Sequence, residues 1–88
     1  SHPDSSGIVY CATRKKVDAL YERLKADGFA VAHYHAGLDA QERQCGQDDF
    51  LFDRVRVMVA TNAFGMGIDK SNVSFVLHYN MPMDLESY

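Results

Sequence analysis

The stretch Thr61 to Lys70, TNAFGMGIDK, carries the densest set of groups suited to chemistry in this sequence. Gly65 and Gly67 permit positive φ angles and a close approach of the backbone to a ligand. Thr61 offers a hydroxyl and an N–H, and Asp69 can accept hydrogen bonds from a hydroxyl or a cation. These groups are suited to holding phosphate and sugar, although a G-x-G pattern by itself is common.

A second candidate is the basic stretch CATRKK, in which Thr13 is followed by Arg14, Lys15 and Lys16. It lies between a predicted strand and the start of a predicted helix. Each cation there opposes the helix dipole by roughly 0.3 to 1 kcal/mol when exposed. A bound phosphate would relieve that conflict, since helix N-termini are common anion sites. A solvated basic patch screened by salt explains the pattern equally well, so both interpretations stay open.

The third candidate is HYHAGLD, which contains His33, His35, Gly37 and Asp39. We expect the two histidines to point to opposite faces of the sheet, and therefore predict no shared metal ion. His35 and Gly37 fall in the turn after the strand, where a glycine lets the backbone approach a ligand and offer N–H groups. The alternative is a plain strand-to-helix turn without a ligand.

Composition narrows the class of protein. The chain has 88 residues, of which 47% are hydrophobic, so it is a small globular domain. A net charge of −3 argues against holding nucleic acid by bulk electrostatics, so any polyanion needs a local site. Cys11 and Cys45 have neither zinc-binding nor disulfide spacing, and we expect both to be buried thiols. No G-x-x-x-x-G-K-[ST] motif is present to bind a nucleoside triphosphate unaided.

The sequence contains neither a signal-peptide pattern nor about 18 consecutive apolar residues, so we expect an intracellular, soluble protein without membrane contact. Residues 1–6 are interpreted as an N-terminal lead or cloning remnant.

Four apolar segments rich in β-branched or aromatic residues predict strands. The last two are nearly continuous apolar runs, as expected for parallel strands covered on both faces. The segments are Gly7 to Cys11, Ala30 to Tyr34, Val55 to Ala60 and Val73 to Tyr79.

Two helices are predicted between these strands, from about Arg14 to Asp27 and from about Asp39 to Phe52. Thr13 can cap the first at its start and Gly28 at its end. Asp39 and Glu42 form a capping box for the second, although Gly46 costs about 1 kcal/mol relative to alanine in a helix interior. Strands alternating with helices predict an α/β fold with a mainly parallel sheet.

The segment from Thr61 to Asn72 is close to the minimum of about 12 residues for a crossover between parallel strands. It is therefore a tight loop, in which we expect Phe64 and Met66 to pack against the core. At the end of the chain, MPMDLESY has the opening turn of a helix, capped by Asp84. We expect the domain to be incomplete at its C-terminus.

Taken together, GIVYCATR, HYHAGL and VMVATNAFGMGIDKSNVSFVLHYNMP resemble, in order and spacing, the second RecA-like lobe of RecQ-family DNA helicases. The resemblance covers nearly the whole chain and implies a three-layer, P-loop NTPase-type lobe over residues 7–88, truncated before the arginine-rich motif VI. It also implies roles for individual residues. DNA contacts are implied for Arg14, His35, Gly37, Thr61 and Asn62, nucleotide binding or coupling for Gly65, Gly67 and Asp69, and a further phosphate contact for Lys70.

For a full-length parent, the resemblance implies an ATP-dependent 3′–5′ DNA helicase in repair or recombination, using ATP and Mg²⁺. Its partners would be single-stranded or duplex DNA and the first RecA-like lobe of the same chain. The chain alone would be inactive, because motif VI and the first lobe with its Walker motifs are absent from this sequence. Arg14 is not taken as a replacement for the arginine finger of motif VI. The protein would be nucleoid-associated in a bacterium and nuclear in a eukaryote. The alternative is a stand-alone α/β module that binds a phosphate-bearing ligand without catalysis.

Overall fold

The computed structural model describes residues 5–61, 64 and 72–79. All four predicted strands and both helices are confirmed within two residues at each end, whereas the predicted helical turn after Asp84 lies outside the described residues. The elements are β1 (Ser6–Cys11), α1 (Arg14–Ala26), β2 (Val31–Tyr34), α2 (Ala40–Leu51), β3 (Val57–Ala60) and β4 (Val73–Tyr79).

The four strands form one parallel sheet in the order β2-β3-β1-β4. Val57 pairs with both Gly7 and Val31, and Ala60 pairs with both Tyr10 and Tyr34. The carboxyl ends of β1, β2 and β3 are therefore level at one edge of the sheet. In open α/β sheets this carboxyl edge is where ligands bind.

The two helices cover opposite faces of the sheet and make three layers. This confirms the predicted RecA-like layer architecture, and it follows from the alternation of side chains along each strand. On the α2 side the buried cluster is Ile8, Ala32, Phe50, Met58, Ala60 and Phe64. On the α1 side it is Val9, Cys11, Val17, Leu20, Val31 and Val59.

The N-caps predicted for α1 and α2 are confirmed. The Thr13 hydroxyl accepts from the Lys16 N–H at 3.2 Å, which satisfies one of the free donors of the first turn of α1. At α2 the Asp39 carboxylate accepts from the Glu42 N–H at 2.8 Å, and the Glu42 carboxylate accepts from the Asp39 N–H at 3.3 Å. This is a complete capping box. After α1, Gly28 takes a φ of 94°, as a glycine beyond a helix end can.

Gly46 does not interrupt α2, and the structure gives the reason for a glycine there. A β-carbon at this position would lie 2.8 Å from the backbone oxygen of His33 in β2. Gly46 therefore lets the helix axis lie closer to the sheet than any other residue would allow.

The expectation that both of the last strands are covered on both faces is confirmed for β3 and wrong for β4. Within the described residues, Phe75, Val76 and Leu77 of β4 are 40%, 51% and 55% exposed. The reason is position, because β4 pairs with β1 at the edge of the described sheet while the helices pack mainly on β1, β2 and β3. Phe75 covers Gly7, where a side chain would collide with its ring.

The cysteines also differ from expectation. Cys11 is buried as predicted, whereas Cys45 is exposed on α2, so the prediction of two buried thiols is wrong for Cys45. Among the described residues, neither helix is long and apolar enough to span a bilayer.

Candidate functional site

The carboxyl edge brings three of the predicted site residues together. Arg14 begins α1 directly after the β1 loop, and His35 and Gly37 lie in the turn after β2. A β-carbon on Gly37 would lie 3.3 Å from Cδ of Arg14 and 3.1 Å from Nδ1 of His35. Two loops that are separate in the sequence therefore form one continuous surface.

Cations dominate the Arg14 side of this surface. Arg14 and Lys15 are exposed, Lys16 is half-buried, and the first turn of α1 contains no acidic residue. Among the described residues, no carboxylate forms a salt bridge with any of the three. The conflict with the helix dipole is thus not relieved within the described part of the chain, as the anion-site interpretation requires.

His35 is buried, and both of its ring nitrogens are engaged within the chain. Nδ1 accepts the Gly37 N–H at 3.0 Å, and Nε2 lies 2.8 Å from Oδ1 of Asp18 on α1. Since Nδ1 is an acceptor, the proton is on Nε2, which donates to the Asp18 carboxylate. The ring therefore acts as a link between α1 and the turn after β2.

The expectation that His33 and His35 point to opposite faces is wrong. Residues two apart in an extended strand share a face, and both rings here point toward α1. Nδ1 of His33 lies 3.6 Å from the same Asp18 oxygen, and the two ring centroids are 6.2 Å apart. Even so, the described residues contain no group of three His, Cys, Asp or Glu side chains that could hold a metal ion.

The rest of the turn is held by hydrogen bonds to its backbone carbonyls. The Leu38 N–H donates to the His35 carbonyl at 3.2 Å. From α2, the Arg43 guanidinium donates to the Leu38 carbonyl and, at 3.4 Å, to the Ala36 carbonyl. Of the N–H groups of Ala36, Gly37 and Leu38, only that of Ala36 has no partner among the described residues. The N–H groups of Gly37 and Leu38 are therefore used within the turn.

Thr61 lies beside this turn at the end of β3. Its N–H donates to the Tyr34 carbonyl at 3.2 Å, and its carbonyl accepts the Phe64 N–H at 3.1 Å. Its hydroxyl has no partner among the described residues. Of the two donors expected at Thr61, the N–H is therefore used within the sheet.

Phe64 packs in the core, as predicted. Its side chain is 3% exposed, and its ring lies 5.0 Å from that of Tyr34 and 6.0 Å from that of Phe50. The Tyr10 hydroxyl also donates to the Phe64 carbonyl at 3.0 Å. The predicted packing of Met66 lies outside the described residues, as do the predicted sites Asn62, Gly65, Gly67, Asp69 and Lys70.

Two residues important to this geometry were not singled out from the sequence, Asp18 and Arg43. Asp18 follows Arg14 by four residues and so lies on the same side of α1. The two-residue spacing of His33 and His35, correctly interpreted, would have placed both rings toward α1 and its carboxylate. Arg43 follows the capping residue Asp39 by four residues, but the sequence shows no reason for it to reach backward to the turn.

A cavity of about 190 Å³ lies along the outer edge of β2. Its lining includes Tyr21, His33, Glu42, Cys45, Gly46 and Asp49. The His33 ring stacks on Tyr21 with centroids 3.8 Å apart. Burial lowers the pKa of His33, although the Asp18 carboxylate opposes that shift.

The carboxyl edge itself offers cations, a hydroxyl and a backbone donor, a set suited to binding an anion.

Known helicases resemble this chain in sequence. The family described as the helicase conserved C-terminal domain matches residues 1–88. The ATP-dependent DNA helicase RecQ of Bacillus subtilis is 57% identical over 83 residues, which are 94% of this chain and 14% of that protein. RecQ of Haemophilus influenzae is 52% identical, over 94% of this chain and 13% of that protein. The chain thus spans about a seventh of the length of these relatives.

Solved structures share the fold. Saccharomyces cerevisiae Dbp5 bound to RNA and ADP BeF3 superposes with a TM-score of 0.80 at 39% identity, over 90% of this chain and 20% of that chain. The C-terminal domain of the DEAD-box protein Dbp5 gives a TM-score of 0.72 at 40% identity, over 89% of this chain and 43% of that chain. The family match covers all 88 residues of this chain, and the chain is 52 to 57% identical to two bacterial RecQ proteins. Together with the RecA-like fold, this shows that the chain belongs to the helicase conserved C-terminal domain family, of the RecQ type.

Proposed function

We propose that this chain is the second motor lobe of an ATP-dependent 3′–5′ DNA helicase that acts in DNA repair or recombination. In this proposal the carboxyl edge of the sheet contacts the backbone of single-stranded DNA. The names of the relatives support a helicase, and the chemistry of the edge supports phosphate as the group contacted. Backbone contacts suit a motor that must move along DNA of any sequence.

The observation that carries the proposal is the cationic start of α1, which has no salt bridge within the described residues and packs against the turn after β2. Arg14 supplies a guanidinium there, and a side chain at Gly37 would press on both Arg14 and the His35 ring. The Thr61 hydroxyl and the Ala36 N–H add neutral donors along the same edge. The net charge of −3 is compatible with this role, because only one edge of the lobe would contact DNA.

The loop after Thr61 would link DNA to ATP. We assign Asn62 to DNA contact, Gly65, Gly67 and Asp69 to nucleotide binding or coupling, and Lys70 to a further phosphate contact. ATP with Mg²⁺ would supply the free energy, and the first RecA-like lobe of the parent would supply the nucleotide-binding motifs that this sequence lacks. The chain alone is therefore expected to hydrolyse no ATP. The parent would work at the nucleoid of a bacterium or in the nucleus of a eukaryote.

The test is DNA-stimulated ATP hydrolysis by the full-length parent. We expect Arg14→Ala and Thr61→Val each to raise the DNA concentration for half-maximal stimulation by about tenfold, as loss of a hydrogen bond to a charged phosphate predicts. Thr61→Ser keeps the hydroxyl and should behave as the wild type. Lys25→Ala is the charge control, because Lys25 lies in the last turn of α1 over the Tyr21 ring.

Unchanged DNA dependence in both Arg14→Ala and Thr61→Val would contradict the proposal. It would favour instead a module whose edge holds a small phosphate-bearing ligand.

A further inference from the structure

We propose that Asp18 is a positioning residue for the DNA-contacting turn, acting through the His35 ring. The inference rests on the proposed function, because it concerns how the same edge is held in its binding geometry. It assigns Asp18 no contact with DNA.

Asp18 determines the tautomer of the His35 ring. The Asp18 carboxylate can only accept hydrogen bonds when ionised, so its 2.8 Å contact places the His35 proton on Nε2. Nδ1 is then free to accept the Gly37 N–H at 3.0 Å. In the other tautomer, the Nδ1–H and the Gly37 N–H would be two donors facing each other. Asp18 thus selects the ring state that the turn requires.

Asp18 is the partner of a buried ring. The His35 side chain is 6% exposed and the Asp18 side chain is 54% exposed, so the ring lies inside the domain while the carboxylate reaches it from the surface of α1. A β-carbon at Gly37 would lie 3.0 Å from Cε1 of His35, so ring and turn already fit closely. The His33 ring, 3.6 Å from Asp18 at its nearest nitrogen, is the other histidine on the same oxygen.

Gly37 connects the His35 ring to the binding surface. Because Gly37 donates to the ring, its amide is turned inward, and the Ala36 N–H is the amide of this turn that has no partner within the described part of the chain. Gly37 also lies against Arg14, and Arg14 and Asp18 are four residues apart on α1. One helix therefore carries both the cation and the carboxylate that fixes the turn beside it. Loss of the carboxylate should release the turn while leaving the cation in place.

The experiment compares Asp18→Ala and Asp18→Asn in the full-length parent, with Glu22→Ala as control. The Asn side-chain oxygen can still accept from Nε2–H, so Asp18→Asn is the conservative rescue. Glu22 lies one turn further along α1 and is exposed. The measurements are the DNA concentration for half-maximal ATPase stimulation, the maximal rate at saturating DNA, and the ¹⁵N resonances of the His35 ring, which report the tautomer.

For Asp18→Ala we expect about a fivefold increase in the half-stimulating DNA concentration, a smaller change in maximal rate, and loss of the pure Nε2–H signature. Asp18→Asn should retain the signature and stay within about twofold of wild type, as should Glu22→Ala. The inference is overturned if Asp18→Ala keeps both the tautomer and the DNA dependence, or if Asp18→Asn is as impaired as Asp18→Ala.

The Arg14→Ala variant separates this inference from the proposed function. If Arg14→Ala weakens the response to DNA and Asp18→Ala does not, the positioning role fails and the proposed function stands. If Arg14→Ala, Thr61→Val and Asp18→Ala all leave it unchanged, both are overturned.

Discussion

Substitution of Gly46 by alanine sets two opposing effects against each other. Alanine favours a helix interior by about 1 kcal/mol over glycine, so helix propensity by itself predicts a more stable protein. The structure predicts the opposite, since the new β-carbon would lie 2.8 Å from the His33 oxygen and 3.7 Å from the β-carbon of Ala32. Real β-carbons essentially never approach within 3.0 Å of a heavy atom of a residue that is not their neighbour in the chain. The obstacle is strand backbone, which cannot rotate away as a flexible side chain would.

Overpacking of this kind costs typically about 1 to 3 kcal/mol, and contact with backbone belongs at the upper end. After the gain in helix propensity, we expect Gly46→Ala to lower the free energy of unfolding by about 1 to 2 kcal/mol. Urea unfolding of the chain would measure this as a lower midpoint with an unchanged m-value. Gln41→Ala, at an exposed position of the same helix, is the matched control and should leave the midpoint almost unchanged. A Gly46→Ala midpoint equal to or above that of wild type would refute the close packing of α2 on β2.

Two further predictions concern titratable groups. A maleimide at neutral pH should label Cys45 first, because burial shields Cys11 and raises the pKa of its thiol. Mass spectrometry should find equal labelling of the two cysteines only in the urea-unfolded chain. Equal labelling of the folded chain would contradict the fold. Because burial lowers the pKa of His33, its contribution to stability is present above the ordinary histidine pKa of about 6.5 and is lost as pH falls below it. The free energy of unfolding should therefore fall less steeply below that pH in His33→Gln than in wild type, and parallel curves would contradict the assignment.

Local patterns were sufficient to predict most of the fold. The strands and helices follow from side-chain period, and Thr13, Asp39 and Glu42 mark the helix starts through contacts within four residues. Phe64 was correctly predicted to pack because a large aromatic residue after a buried strand has the core beside it. The helix starts depend on neighbours in the sequence, and the packing of Phe64 follows from its residue type and its place after a strand, which is why the sequence reveals them.

What could not be predicted depends on contacts between distant residues. Gly46 lowers helix propensity, and only the position of the His33 backbone explains its presence. The exposure of β4 depends on which strand lies at the edge of the described sheet. The link from Asp18 to His35 spans 17 residues and two elements. The error over His33 and His35 was different in kind, because correct use of strand periodicity would have placed both rings on one face.

The central claim is that the carboxyl edge binds the phosphate backbone of DNA through the cationic start of α1. Its most direct test is the salt dependence of single-stranded DNA affinity, measured on the full-length parent with Arg14 intact and with Arg14→Ala. Each lost phosphate contact should reduce the slope of log K against log salt concentration by about 0.7. The account predicts that reduction, with weaker binding at low salt and no change in sequence preference. An unchanged slope and affinity in Arg14→Ala would contradict it.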